Sequence, residues 1–234
     1  MYKHTKLICI VIILCFFLNA NLSVYASANG FSTEPLSEKE TMTVLSNFKI
    51  DEIEEEPIHK PIDCFDVNEK ENIVIGISDG ERKEVVVYNS LHEFIKGYEF
   101  IDSGSFGIEW NDDEINIYLV RSDISVTINE NGDIDNIVGI KNSMENDSYW
   151  NHSVFSNIRF VGTHKYELRN NLGILNLFSS SYSQLIQVDE NDSEIILYDV
   201  SHESLIYSFI IIICVVIFIA IIVFIIIHRC KNKN

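Results

Sequence analysis

From residue 68 onward an asparagine or aspartate recurs about every twenty residues, each time between two apolar or β-prone stretches. The positions are Asn68 in VNEKENIVIG, Asn89 in VYNSLHEFI, Asn111 in EWNDDEINIY, Asn129 in TINENGDIDNI, Asn170 in ELRNNLGILNL and Asp189 in QVDENDSEIIL. Each reads as a hairpin, and two hairpins make a unit of about forty residues, the size of a four-stranded propeller blade. The flanking stretches alternate with period two, as in Val85 and Val87 of EVVVYNS or Ile115, Ile117 and Leu119 of EINIYLV, which is the pattern of half-buried strands. Long helical periodicity is absent here, so the fold class expected is all-β, built of propeller-like four-stranded repeat units. Three units are marked, residues 62–100, 103–140 and 158–200. A closed ring usually needs about four, so they form an open stack or a ring completed by other segments. The candidates are the preceding arm and the polar insertion 141–157.

Two apolar segments at the ends stand apart from this pattern. Residues 1–28 carry Lys3 and Lys6, an apolar run from Leu7 to Leu18 and the small residues Ala26, Ser27 and Ala28, which predicts a cleaved signal peptide, with an uncleaved anchor as the alternative. Residues 205–227, LIYSFIIIICVVIFIAIIVFIII, contain no charge. As a helix they extend roughly 34 Å, against about 30 Å of hydrocarbon core. A transmembrane helix is therefore expected, followed by the basic tail 228–234, with His228, Arg229, Lys231 and Lys233. Positive residues stay inside, so the expected topology is single-pass type I in the cell membrane, with the N-terminal side outside and the tail in the cytoplasm. A seven-residue tail is too short to fold on its own. The basic stop also argues against a glycolipid-anchor signal.

Between these ends lie two regions, an arm at 29–61 and the β repeat domain at 62–204. The arm holds all three prolines (Pro35, Pro57, Pro61) and the run DEIEEE, and is expected to be a spacer or loosely docked. The formal net charge is −18, but all 35 acids lie outside whereas five of the 17 bases lie in the terminal segments; twelve bases against 35 acids leave −23 outside. Such a field repels nucleic acid and is read first as keeping an extracytoplasmic domain in solution, with basic or cationic partners as the alternative. Of five cysteines only Cys64 falls in the outer part, where it reads as a buried apolar residue rather than half of a disulfide.

The runs CFDVNEKENIVIGISD, EVVVYNSLHEFIKGYEF, GSFGIEW and IYLVRSD resemble the repeats of uncharacterised membrane-anchored proteins of clostridial-type bacteria. Those are similar in turn to NHL-like propeller blades. The resemblance covers residues 62–200 and implies an architecture and a bacterial cell envelope, but no activity. Lys70-Glu71, Leu91-His92 and Asp112-Asp113 depart from it, standing where Asn-Gly or Asp-Gly would suit a tight turn.

Several groups invite a chemical reading. In INENGDIDNI, Asn129, Asn131, Asp133 and Asp135 alternate as calcium ligands do, yet the positions that need glycine and a bidentate glutamate hold Ile134 and Ile140. Asn131-Gly132 suits a hairpin tip instead. The histidines His59, His92, His152, His164 and His202 lack ligand spacing for zinc. Two of Glu109, Asp112, Asp113 and Glu114 form a conceivable acid and base pair, although a charged hairpin explains WNDDE as well. Gly104-Ser105-Phe106-Gly107 lacks the spacing of a nucleophile elbow and reads as a linker. Arg121 is expected to pair with Asp123 or another carboxylate. Asn146, Asn151 and Asn191 begin chance sequons. Tyr149 and Trp150 are expected to pack in a core, with an exposed recognition patch as the alternative.

No catalytic, cofactor-binding or metal residue is assigned. The reading expected from sequence is a membrane-anchored extracytoplasmic module for binding or scaffolding, with a protein partner at the envelope. Two alternatives are retained: a carboxylate-dependent hydrolase, and a sensor acting through a membrane partner.

Overall fold

The computed structural model describes residues 30–171, 176 and 181–231. The expected signal peptide, residues 1–28, lies outside them, as does the end of the basic tail. The chain is mostly β. Its arm contributes β1 (Thr33–Pro35), helix α1 (Glu38–Asn47) and β2 (Asp51–Ile53). The first unit follows as β3 (Ile62–Val67), β4 (Ile73–Asp79), β5 (Arg82–Tyr88) and β6 (Phe94–Ile101). The second comprises β7 (Phe106–Asn111), β8 (Glu114–Leu119), β9 (Ile124–Ile128) and β10 (Ile134–Ile140). The insertion forms helix α2 (Met144–Tyr149) and a π-helical turn (Trp150–Val154). The third unit is β11 (Ile158–Val161), β12 (His164–Arg169), β13 (Gln184–Val188) and β14 (Glu194–Asp199), and helix α3 (Ser201–Lys231) ends the described chain.

Each unit is an antiparallel meander in which every strand pairs with the next, so the three expected repeats coincide with three sheets to within a few residues. The hairpins explain why. At Asn68, Asn89, Asn129 and Asp189 the side-chain Oδ1 accepts from the backbone N–H groups two and four residues on. The residue three places on takes a positive φ: Glu71 (60°), His92 (64°), Gly132 (81°) and Asp192 (58°). This is a three-residue hairpin loop closed by a left-handed residue. Asn89, Asn129 and Asp189 each close the last hairpin of their unit. The other two expected turns differ. Asn111 pairs with Glu114 across a two-residue loop whose first residue, Asp112, has φ 55°, and Asn170 instead accepts from the distant Ser183 N–H.

The first sheet lies between the other two. One face carries Cys64, Val74, Val85, Val87, Tyr98 and Phe100 against Phe106, Ile108, Ile115, Ile117 and Val126 of the second sheet. The opposite face carries Phe65, Ile73, Ile75, Ile77 and Val86 against Tyr166, Leu168, Leu185 and Tyr198 of the third. Period two sends alternate residues to opposite faces, so EVVVY is buried on both sides instead of half-buried, as its sequence had suggested. EINIYL alternates over Glu114–Ile117, with Ile115, Ile117 and Leu119 in the main core, but Tyr118 is also buried, on the opposite face. Close packing shows at Gly76, where an added Cβ would strike Sγ of Cys64 and lie 2.9 Å from Cζ of Phe106.

The arm is docked, not loose. β1 pairs with β10 and β2 with β6, adding a fifth strand to the second and first sheets. Between them Ser37 caps α1 in a reciprocal capping box with Glu40, and Phe48 is buried 4.9 Å from the ring of Phe100. Further on, Lys60 Nζ reaches the buried Glu84 at 3.0 Å, while the Tyr198 hydroxyl bonds both backbone groups of Lys60. Acidity misled the sequence reading here because a single added strand needs backbone hydrogen bonds more than apolar side chains.

Candidate binding cleft

The first strands of the units, β3, β7 and β11, are each an edge of their sheet and meet around one carboxylate. Asp66 of β3 takes Nε of Arg159 from β11 on Oδ1 at 2.7 Å and the backbone N–H of Trp110 from β7 on Oδ2 at 2.8 Å. Arg159 also donates to the carbonyls of Ser156, Ile158 and Val154 and lies 5.2 Å over the ring of Phe65. Both side chains of the pair are only 14% exposed, so a charge-assisted bond here is far less screened than on the surface. One carboxylate thereby ties all three units, by a salt bridge to the third and a backbone hydrogen bond from the second. Neither residue was singled out from sequence. The available signal was an opposite charge within two apolar strands, IDCFDV and IRFV, 93 residues apart.

At one end of these strands the β3–β4, β7–β8 and β11–β12 hairpins surround a cleft of ≈ 740 Å³. Its floor includes Asp66 and Trp110, whose indole Nε1 is buried without a hydrogen-bond partner among the described residues. Glu69, Lys70, Asp112 and Asp113 form its polar walls, and Phe160, 75% exposed, stands beside them. Lys70 pairs with Asp113 across two hairpins, and that partner raises its pKa.

Of the four carboxylates of EWNDDE, Glu109 stands apart. Glu109 is turned away from Asp112 and Asp113, accepting from the hydroxyls of Tyr118 at 2.8 Å and Tyr149 at 2.9 Å. Burial holds its pKa above the usual carboxylate range. The tyrosines occupy both oxygens, so Glu109 serves to anchor the insertion. Tyr149 and Trp150 join Phe31, Tyr118, Ile140 and Val154 in a small separate core, with ring centroids of Phe31 within 4.8 Å of three aromatic neighbours.

Other candidates take structural roles. Cys64 is buried and its thiol pKa is pushed well up by burial. Asn129 spends its side chain on the turn and on Asp135, to which its amide donates. Arg121 donates to Ser103 Oγ, with no carboxylate at ion-pair distance among the described residues; the expected bond to Asp123 is not formed, and Asp123 instead turns the chain with φ 53°. Asn146 is buried, clasping Ser32 and Lys141, whereas Asn151 and Asn191 are exposed. His59 pairs with Glu56, His164 with Glu71, and His152 with Ser148. Among the described residues no cluster of three acidic, histidine or cysteine side chains is arranged to hold a metal.

Helix α3 begins two residues after β14. Every described side chain from 209 to 219 is exposed and apolar. Among the described residues no helix is long and apolar enough to cross a membrane. The chain matches no known protein-family model and no curated protein.

Proposed function

We propose that the chain is a membrane-tethered binding module of the cell envelope, in which three propeller-like units form an open stack outside the membrane and present the cleft at their shared end. The observation that carries this reading is helix α3. Its side chains at successive positions, Ile210 to Ile213 and Val215 to Ile219, are apolar and exposed, so apolar surface covers every face. A water-soluble helix hides at least one apolar stripe and keeps a polar face, whereas lipid accepts apolar side chains all round. The sequence extends that character over residues 205–227 and ends it with Arg229 and Lys231, which sets the cytoplasmic side. The stack supports a binding role because Asp66 and Arg159 hold the first strands of the units together beneath a cleft that opens at their shared end.

The test is protease treatment of intact cells, followed by alkaline carbonate extraction. The acidic domain is digested from outside while a fragment containing the span stays with the membrane. Recovery of the whole chain in the carbonate supernatant sinks the tether. Chemical crosslinking on the same cells, with recovery of a reproducible adduct, reads the binding role separately.

A further inference from the structure

The cleft's chemistry narrows what it takes. Four carboxylates line it; Arg159 already neutralises Asp66, which leaves Glu69, Asp112 and Asp113 against the one ammonium of Lys70, in a domain of strongly negative charge, so phosphate and other anions are repelled. Among the described residues Glu69 and Asp112 accept no hydrogen bond and form no ion pair, although Asp112 adds to the attraction on Lys70, and Asp113 holds Lys70 in an ion pair whose members are 65% and 52% exposed. An exposed pair of this kind is screened by solvent and weakly held, so it exchanges readily for another cation. Phe160 adds an exposed aromatic surface, and Trp110 a half-buried one. Aromatic faces attract cations and the methylenes that carry them. Lys70 is thus an internal example of the ligand, an aliphatic ammonium reaching a carboxylate across the mouth.

We infer that the cleft binds an ammonium group on an aliphatic chain, which displaces Lys70 from Asp113, engages Asp112, and lays its methylenes along Phe160 and Trp110. The chemistry is shared by lysine side chains of a peptide and by free polyamines. This rests on the reading of the cleft as the module's binding surface.

The experiment uses the full chain in detergent with Trp150→Phe, so that Trp110 is the sole tryptophan reporter. Its emission is followed during titration with spermidine, with an N-acetylated Gly-Lys-Gly amide, and with a neutral N-acetylglucosamine trisaccharide. Saturable binding of an amine is expected, weakened about tenfold by Asp112→Asn with Asp113→Asn and by raised salt. Lys70→Gln is expected to tighten it about two- to five-fold, because the internal competitor is gone. Misfolding does not tighten binding, and Lys39→Gln, which removes the same charge from exposed α1 away from the cleft, reports the part due to bulk charge; tightening by Lys70→Gln no greater than by Lys39→Gln overturns the competitor role of Lys70. Stronger response to spermidine assigns the site to polyamines, and stronger response to the tripeptide to lysine side chains. No saturable amine response in either the parent or Lys70→Gln overturns the inference, as does equal affinity in all variants. A Trp110 response to the trisaccharide alone overturns the ligand class while leaving the cleft as the binding surface.

Discussion

Strands β5 and β14 are alike in sequence and opposite in environment. RKEVVVY and EIILYD each run three or four apolar, mostly β-branched residues together beside an aromatic ring. In β5 the run Val85 to Val87 is fully buried, because its sheet is covered on both faces. In β14, Ile195 is 54% and Ile196 55% exposed. Among the described residues the strand is also an edge of its sheet with no further partner, whereas β6 and β10, its counterparts in the other two units, are covered by β2 and β1 of the arm. Local pattern therefore chooses the strand, and position in the stack chooses what the strand contributes. A fully buried valine or isoleucine contributes about 1.5–3 kcal/mol, and a half-exposed one much less.

The largest break in this comparison comes from the link between the sheets. Asp66→Ala leaves Arg159 mostly buried without its counter-ion, and a loss of about 3 kcal/mol is expected in denaturant unfolding. Arg159→Met with Asp66→Ala should lose less than the two single changes added together, since the double variant removes both charges. Full additivity would mean that the bridge does not join the units. Next comes the same chemistry placed at the two strands. Val86→Thr buries a hydroxyl in the inner sheet and should cost about 2 kcal/mol, while Ile196→Thr, which keeps β-branching on a wet surface, should stay within about 0.5 kcal/mol. Equal losses would remove the distinction between the sheets. Hydrogen exchange sharpens it without mutation: the amides of β14 should exchange through local opening well before those of β4 and β5, which are expected to wait for global unfolding. Matching protection in both strands would show that the third sheet opens only with the whole.

The recurrence of Asx residues made the three meanders legible to within a few residues because a hairpin is a local object, specified by one side chain and the four residues after it. Docking of the arm was not legible. β1 and β2 are three-residue strands, TEP and DEI, whose pairing rests on partners in β10 and β6. Nothing within three residues announces a distant edge. The separation of Glu109 from Asp112 has the same origin: adjacent positions on a strand and its turn were read as neighbours, but Glu109 points towards Tyr149, 40 residues further on. Asp66 and Arg159 were visible only as charges in apolar strands, and their meaning required the stacking of three sheets.

The hairpins permit the finest test, since three of them occupy one place in three units. Gly132 has φ 81° and His92 has φ 64° at the same position of otherwise matching loops. A non-glycine residue in this region costs roughly 1–2 kcal/mol, and glycine gives back roughly 0.5–1 kcal/mol through the freedom it adds to the unfolded chain. His92→Gly should therefore stabilise by about 0.5 kcal/mol. Gly132→Ala should destabilise by more than the backbone term, because its Cβ would lie 2.6 Å from Cε1 of Tyr98, a fully buried ring between the first and second sheets. The two changes differ in kind. One is confined to an exposed loop, while the other carries a turn's geometry into the core. If Gly132→Ala and Gly132→Asn prove as mild as the reverse of His92→Gly, Tyr98 yields to the turn and the second unit's hairpin is no more coupled to the first sheet than the loop at His92.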